Sequence, residues 1–141
     1  MTTQNTKSFT LIELMVVVIV ISVIAGFAIP NYEKSVERAH LRDAITQLST
    51  IHAANQIYRA RTQSYWPDTV GTKDLADINA DLGLAVIANG MTYTCDPDPG
   101  TPGLTYTCQA VRDAPAVQFT VEVTEAVIDA TNPACVAGAC P

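Results

Sequence analysis

Glu13 is the residue that most needs a chemical explanation, because it lies in the most apolar stretch of the chain. Residues 9–29 contain 17 apolar side chains among 21. A carboxylate in a bilayer helix costs about 2.5–3.5 kcal/mol, so a compensating contact is expected. Thr10 and Glu13 have the spacing of a capping box, which would provide one locally. Alternatively, a cut before Phe9 would create an ammonium one turn away, and a neighbouring subunit's ammonium could pair with Glu13. The residues alone leave both open.

Four cysteines form the second set of residues with possible chemistry. They are Cys95, Cys108, Cys135 and Cys140. All four lie in the part of the chain that we predict to be outside the cytoplasm, where disulfides persist. They include no C-x-x-C pair, and both histidines are far from them in the sequence, so we expect no zinc site. Three pairings are possible. The most local one joins the first two and the last two, but a tight hairpin would place Cys95 opposite Leu104, so the connectivity stays open.

Signals for catalysis or cofactor binding are missing. The chain has no P-loop, G-x-S-x-G, H-E-x-x-H or G-x-G-x-x-G, so we expect no enzyme and no cofactor. His40 and His52 are separated by about 120° around a helix and do not share a face. No D-x-D-x-D-G calcium loop is present, and residues 96–100 are typical of a turn. The net charge of −6 argues against nucleic acid as a partner.

The apolar run predicts a membrane-spanning helix over residues 9–30. Residues 9–29 as a helix would be about 31 Å long, close to the hydrocarbon thickness of a bilayer. Lys7 before the run favours a cytoplasmic N-terminus, with residues 31–141 outside. A cleaved signal peptide is one alternative, although its apolar region would be shorter and would end in small residues. A plain signal anchor is another.

Three residues in this run share one helical stripe. Ser22, Gly26 and Pro30 follow at intervals of four. Proline removes a backbone donor, glycine weakens a helix and serine bonds back to a carbonyl. Small residues also allow helices to approach closely. The stripe indicates either an ordinary kinked anchor or a segment that unwinds or bends during packing between subunits.

The remaining residues predict an α+β fold with a helical spine and a small antiparallel head. Residues 31–65 carry an amphipathic helical pattern formed by Leu41, Ile45, Leu48, Ile51, Asn55 and Tyr58. Residues 66–141 form the predicted head. An αβ-loop with a short helix over 72–82 comes first in it, and Gly83 ends that helix. Alternating patterns predict strands over 91–95, 104–108 and 117–124. The head carries 10 acidic and 2 basic side chains.

The N-terminal run resembles a known family. Residues 7–18, K-S-F-T-L-I-E-L-M-V-V-V, are similar to the N-terminus of type IV pilins and of the related secretion pseudopilins. The likeness continues through A-I-P-N-Y at residues 28–32 and extends to about residue 45. The short leader suggests the type IVa branch.

This resemblance implies a processing and assembly pathway. Residues 1–8 would be a leader, a prepilin peptidase would cut between Ser8 and Phe9, and the new Phe9 amine would be methylated. Glu13 would pair with that amine on a neighbour. The family nearly always has glycine where this chain has Ser8, and it often has glycine at the place of Ser22. A C-terminal cysteine loop in this family pins the C-terminus to the head.

The function implied by the resemblance is that of a structural subunit of a type IV pilus used for adhesion, twitching motility or DNA uptake. Its partners would be copies of itself, other pilins, the peptidase, the inner-membrane assembly platform and the membrane itself. It would be a single-pass inner-membrane protein before assembly and extracellular afterwards. A minor pilin, a type II secretion pseudopilin and a non-polymerising anchored periplasmic domain are the alternatives.

Overall fold

The computed structural model describes residues 9–112, 118–129, 131–138 and 140, without the side chains of residues 27–31. Its helices are α1 (Leu11–Thr62) and α2 (Leu75–Leu82), and its strands are β1 (Lys73–Asp74), β2 (Thr92–Pro97), β3 (Tyr106–Arg112), β4 (Phe119–Thr124) and β5 (Ala134–Gly138). The chain divides between Val36 and Glu37 into two compact units. We call them the N-terminal unit and the head unit. The α+β class predicted from the sequence is confirmed.

The part of α1 in the head unit packs its predicted stripe into the core. Leu48, Ile51 and Asn55 are fully buried, and Leu41, Ile45 and Tyr58 are partly buried against the core. The head unit therefore begins on the helix at Glu37 rather than after it. Burial of one face only is what the spacing of three and four residues dictates.

α1 ends three residues before the predicted residue 65. Gln63 has φ +67°, a left-handed conformation that stops the helical hydrogen bonding. The buried side chain of Asn55 then holds the returning chain: its Oδ1 accepts from the Trp66 amide at 2.9 Å, and its Nδ2 donates to the Trp66 carbonyl. The Asn55 side chain thus bonds both backbone groups of Trp66, as a neighbouring strand would. These two bonds hold Trp66 in the core, where it is 3% exposed.

The five strands form one antiparallel sheet in the order β1-β2-β3-β4-β5. Every second residue of the three central strands faces the core: Tyr93 and Cys95, then Tyr106, Cys108 and Ala110, then Phe119, Val121 and Val123. The sequence predicted these three strands, although the first two begin and end later than expected. It missed β1, which has two residues, and β5, whose small residues carry little strand signal.

The hairpin register differs from the tight one considered above. Cys95 lies opposite Cys108, not Leu104, because the chain between β2 and β3 forms its own turns. The Thr101 amide donates to the Asp98 carbonyl at 3.1 Å, and the Leu104 amide donates to the Thr101 carbonyl at 3.1 Å. The disulfides are Cys95–Cys108 in the core and Cys135–Cys140 at the C-terminus.

α2 is a short capped helix that starts three residues later than predicted. Asp74 is its N-cap, and its Oδ1 accepts from the amides of Ala76 and Asp77 at 2.9 and 3.1 Å. Gly83 ends the helix with φ +65°, as its position predicted. Ile78 is the buried residue of this helix.

Two tyrosines on the core face of the sheet are almost completely enclosed. Tyr106 places its hydroxyl 2.8 Å from Nδ1 of His52, which also lies 3.0 Å from the Thr124 carbonyl. Burial raises the pKa of Tyr106 strongly. Burial, followed by the charge of Asp43, raises the pKa of Tyr93 to about 12. The Tyr93 hydroxyl has no hydrogen-bond partner among the described residues.

Gly138 is the position where we expect a methyl group to disturb the sheet edge. It has φ +86°, and a Cβ there would collide with the backbone of Gln118 and Phe119. Gly138→Ala should therefore lower head stability by about 1–3 kcal/mol. Trp66 is the only tryptophan, so thermal unfolding of the detergent-solubilised full chain can be followed by its fluorescence.

The matched control for that variant is Gly71→Ala. Gly71 also has a positive φ, +121°, but a Cβ there meets no atom within 4 Å. Gly71→Ala therefore measures the free-energy cost of placing alanine at a positive φ without the cost of a steric collision. Equal losses of stability in the two variants would show that the collision with Gln118 contributes nothing.

Candidate assembly interface on the N-terminal helix

The N-terminal unit presents apolar side chains on every face of α1. Its large aliphatic residues are 50–78% exposed between Leu11 and Ile24. They are Leu11, Ile12, Leu14, Met15, Val16, Val17, Val18, Ile19, Val20, Ile21, Val23 and Ile24. Phe9 is 80% exposed in front of them. A helix that is apolar all round is stable only when lipid or other helices cover it.

Glu13 caps the start of α1. Its Oε2 accepts hydrogen bonds from the Thr10 amide at 3.3 Å and from the Thr10 hydroxyl at 3.1 Å. The Glu13 amide donates to Thr10 Oγ1 at 3.3 Å. The capping box that the spacing predicts is therefore present. Both bonds to the carboxylate use Oε2, so Oε1 has no hydrogen bond from the described residues and stays accessible to a donor on another molecule.

The structure describes part of the predicted cleavage site and of the small-residue stripe. Ser8 lies outside the described residues, as does the side chain of Pro30. Ser22 Oγ donates to the Val18 carbonyl at 2.7 Å, the back-bond expected of serine in a helix. A Cβ at Gly26 would meet no atom within 4 Å. The helix surface at Gly26 is therefore open.

Gly26 provides a test of close helix packing. Gly26→Ala raises helix propensity by about 1 kcal/mol while adding only a methyl group, whereas Gly26→Leu adds bulk. If Gly26 is a point of close helix approach, the leucine variant should lose about 1.4 kcal/mol of packing, a tenfold drop in assembly. Filament yield, normalised to protein in the membrane fraction, measures this. Equal yields from the two variants would exclude such an approach at Gly26.

Among the described residues, no group of three or more His, Cys, Asp or Glu side chains is placed to hold a metal ion. Among the same residues, no helix reaches the combined length and apolarity of a membrane span.

The chain is similar in sequence to one protein family and to several known proteins. Residues 3–29 match the family described as the prokaryotic N-terminal methylation motif. The type II secretion system core protein G of Vibrio cholerae is 33% identical over 96 residues, which cover 68% of this chain and 56% of that protein. The fimbrial protein EcpC of Eikenella corrodens is 34% identical over 87 residues, covering 62% and 50%.

A third relative matches a shorter part of the chain. The type IV major pilin protein PilA of Myxococcus xanthus is 37% identical over 59 residues, which cover 42% of this chain and 27% of that protein. The chain spans less than two thirds of the length of these relatives. No solved structure matches.

Proposed function

We propose that this chain, a type IV pilin-like protein by its motif and its fold, is a structural subunit of a type IV pilus. The observation that carries the proposal is the exposed N-terminal segment of α1, apolar on all faces and interrupted by one carboxylate. Copies that bury these helices against each other remove a large apolar surface from lipid and water. The role is mechanical and not enzymatic.

The pathway that we propose begins at the inner membrane. A prepilin peptidase hydrolyses the peptide bond between Ser8 and Phe9 and so frees the Phe9 amine. The same enzyme then transfers a methyl group from a methyl donor to that amine, which is protonated to an ammonium at neutral pH. The ammonium of one subunit then donates to Oε1 of Glu13 on a neighbour, the oxygen left unused by the capping box. Such a pair compensates the cost of a carboxylate in an apolar environment.

Assembly moves the subunit between compartments. It starts as a single-pass inner-membrane protein with its head in the periplasm, and it ends in an extracellular filament. The partners are copies of itself, other pilins and the assembly platform of the inner membrane. The two disulfides of the head suit these oxidising surroundings. Adhesion, twitching motility and DNA uptake are the uses we propose for the filament.

A second candidate function is that of a pseudopilin in type II secretion. The Vibrio cholerae relative, a core protein G of that system, matches 68% of this chain, more than the two pilus relatives do. The α1 interface would serve a short periplasmic filament in the same way. A minor pilin, which would be a less abundant subunit of the pilus, is an alternative to both the major subunit and the pseudopilin.

Deletion of the gene in the native cells separates these candidates. For a major pilus subunit we expect surface filaments to disappear while secreted enzymes still leave the cell. For a pseudopilin the surface filaments persist and secreted enzymes accumulate in the periplasm. If both the filaments and secretion persist, a non-polymerising anchored domain becomes the better account.

A further inference from the structure

Two ends of the head unit can be defined from its contacts. α1 enters the unit at Glu37, whose carboxylate is bonded to Arg112 in the last position of β3. The chain leaves α1 near Tyr65, whose amide donates to the Gly103 carbonyl in the β2–β3 turn at 2.7 Å. The last position of β3 and the β2–β3 turn lie at opposite ends of the strands. We call them the entry end and the turn end.

The entry end exposes two unpaired cations. Arg38 and Arg42 are four residues apart, so they lie on the same face of α1, and both are exposed. Neither forms an ion pair within the described part of the chain. Their acidic neighbours are already bonded, since Glu37 pairs with Arg112, and Asp43 accepts from the Asn89 side chain at 3.1 Å.

The turn end contains an acidic groove. It has a volume of about 700 Å³, and the acidic residues Asp96, Asp98 and Glu125 lie along it among threonine and apolar residues. Asp96 accepts from the Thr72 hydroxyl, and Asp98 accepts from the Gly100 amide at 2.9 Å. Both donors are neutral. Across the described residues, no cation is paired with these three carboxylates.

The groove has the chemistry to receive an arginine side chain. A guanidinium has five donors in a planar fork, and it bonds carboxylates and hydroxyls at the same time. The head has few cations of its own, because residues 66–141 contain 10 acidic and 2 basic side chains. The described groups are not arranged to hold a metal ion. The complementary positive charge lies instead on Arg38 and Arg42 of α1, at the entry end of the head unit.

We propose that Arg38 and Arg42 of one copy dock into the groove of Asp96, Asp98 and Glu125 on a second copy. The inference rests on the proposed function as a filament subunit, and it identifies a contact between the head units of neighbouring copies in that filament. The two surfaces are different and lie at opposite ends of the head unit, so the contact is heterologous. Such contacts repeat without closing, and they produce an open filament rather than a symmetric dimer.

Charge reversal with rescue tests the contact in the full chain in its native cells. Arg38→Glu with Arg42→Glu, and separately Asp98→Lys with Glu125→Lys, should each lower the yield of sheared filaments about tenfold. Combining all four substitutions should restore most of the yield, because the charges are complementary again. Arg61→Glu is the control, since Arg61 is an exposed arginine of α1 at the turn end.

The outcomes distinguish this contact from the proposed function. Normal filaments from either reversal, or no recovery in the combined variant, would overturn the contact and leave the filament role intact. An unaltered chain that forms no filament would overturn both. Arg38→Gln with Arg42→Gln, and Asp98→Asn with Glu125→Gln, should show the same losses in weaker form. These neutral variants keep the test valid if a reversed variant fails to accumulate.

Discussion

Glu13→Val should leave the chain in the membrane fraction at its normal level and reduce sheared filaments about a hundredfold. In the assembly that we propose, the valine removes the partner of the Phe9 ammonium. It also makes the helix more apolar, so insertion into the membrane does not suffer. A contact that compensates about 2.5–3.5 kcal/mol in an apolar environment corresponds to a factor of about a hundred in assembly. The ratio of filament to membrane protein measures the effect.

Thr10→Ala separates this role from capping. The substitution removes the Thr10 hydroxyl from the box but keeps the Glu13 carboxylate. Loss of a cap costs about 1 kcal/mol, so filament yield should fall less than tenfold. Glu13→Gln retains an acceptor without the charge and should behave like Glu13→Val. Normal filaments from Glu13→Val would disprove the pairing.

Arg112→Met should lower head stability by about 3–5 kcal/mol, because it leaves a carboxylate buried without a partner. Arg112 Nε and Nη2 donate to the two oxygens of Glu37, each at 3.2 Å. Its Nη1 donates to the Gly90 carbonyl at 2.8 Å. Glu37 itself is 6% exposed. Trp66 fluorescence of the solubilised chain gives the midpoint of unfolding.

The double variant Glu37→Leu with Arg112→Met is the control for this effect. It replaces the pair with apolar groups of similar size, which often costs little. We expect it to recover most of the stability lost in Arg112→Met, apart from the bond to Gly90. A double variant as unstable as the single one would show that the Gly90 bond and lost packing, not the unpaired charge, cause the loss.

Local signals explain which elements could be predicted from the sequence. The stripe of α1, the alternation in β4 and the stop at Gly83 each depend on neighbouring residues, and all three are present in the structure. The register of β2 and β3 depends on how the turn between them folds, which composition does not determine. β5 pairs with β4 across a bulge between Thr120 and Val121, which no pattern in its own five residues indicates.

The same distinction between local and long-range signals applies to the functional residues. The capping box of the candidate interface is formed within one helical turn, so its residues could be named from spacing. The Glu37–Arg112 pair joins residues 75 positions apart, and the acidic groove brings three strand ends and a loop together. Neither has a sequence signal, because each depends on the fold being complete.

The most direct test of the account is the intact mass, with N-terminal fragmentation, of protein sheared from the cell surface. We expect a chain that starts at Phe9, is one methyl group heavier, and is four hydrogens lighter because of two disulfides. That result would establish processing after Ser8 and export into a filament. A chain that still starts at Met1 or Thr2 and occurs only in the membrane fraction would contradict the account, and a non-polymerising anchored domain would replace it.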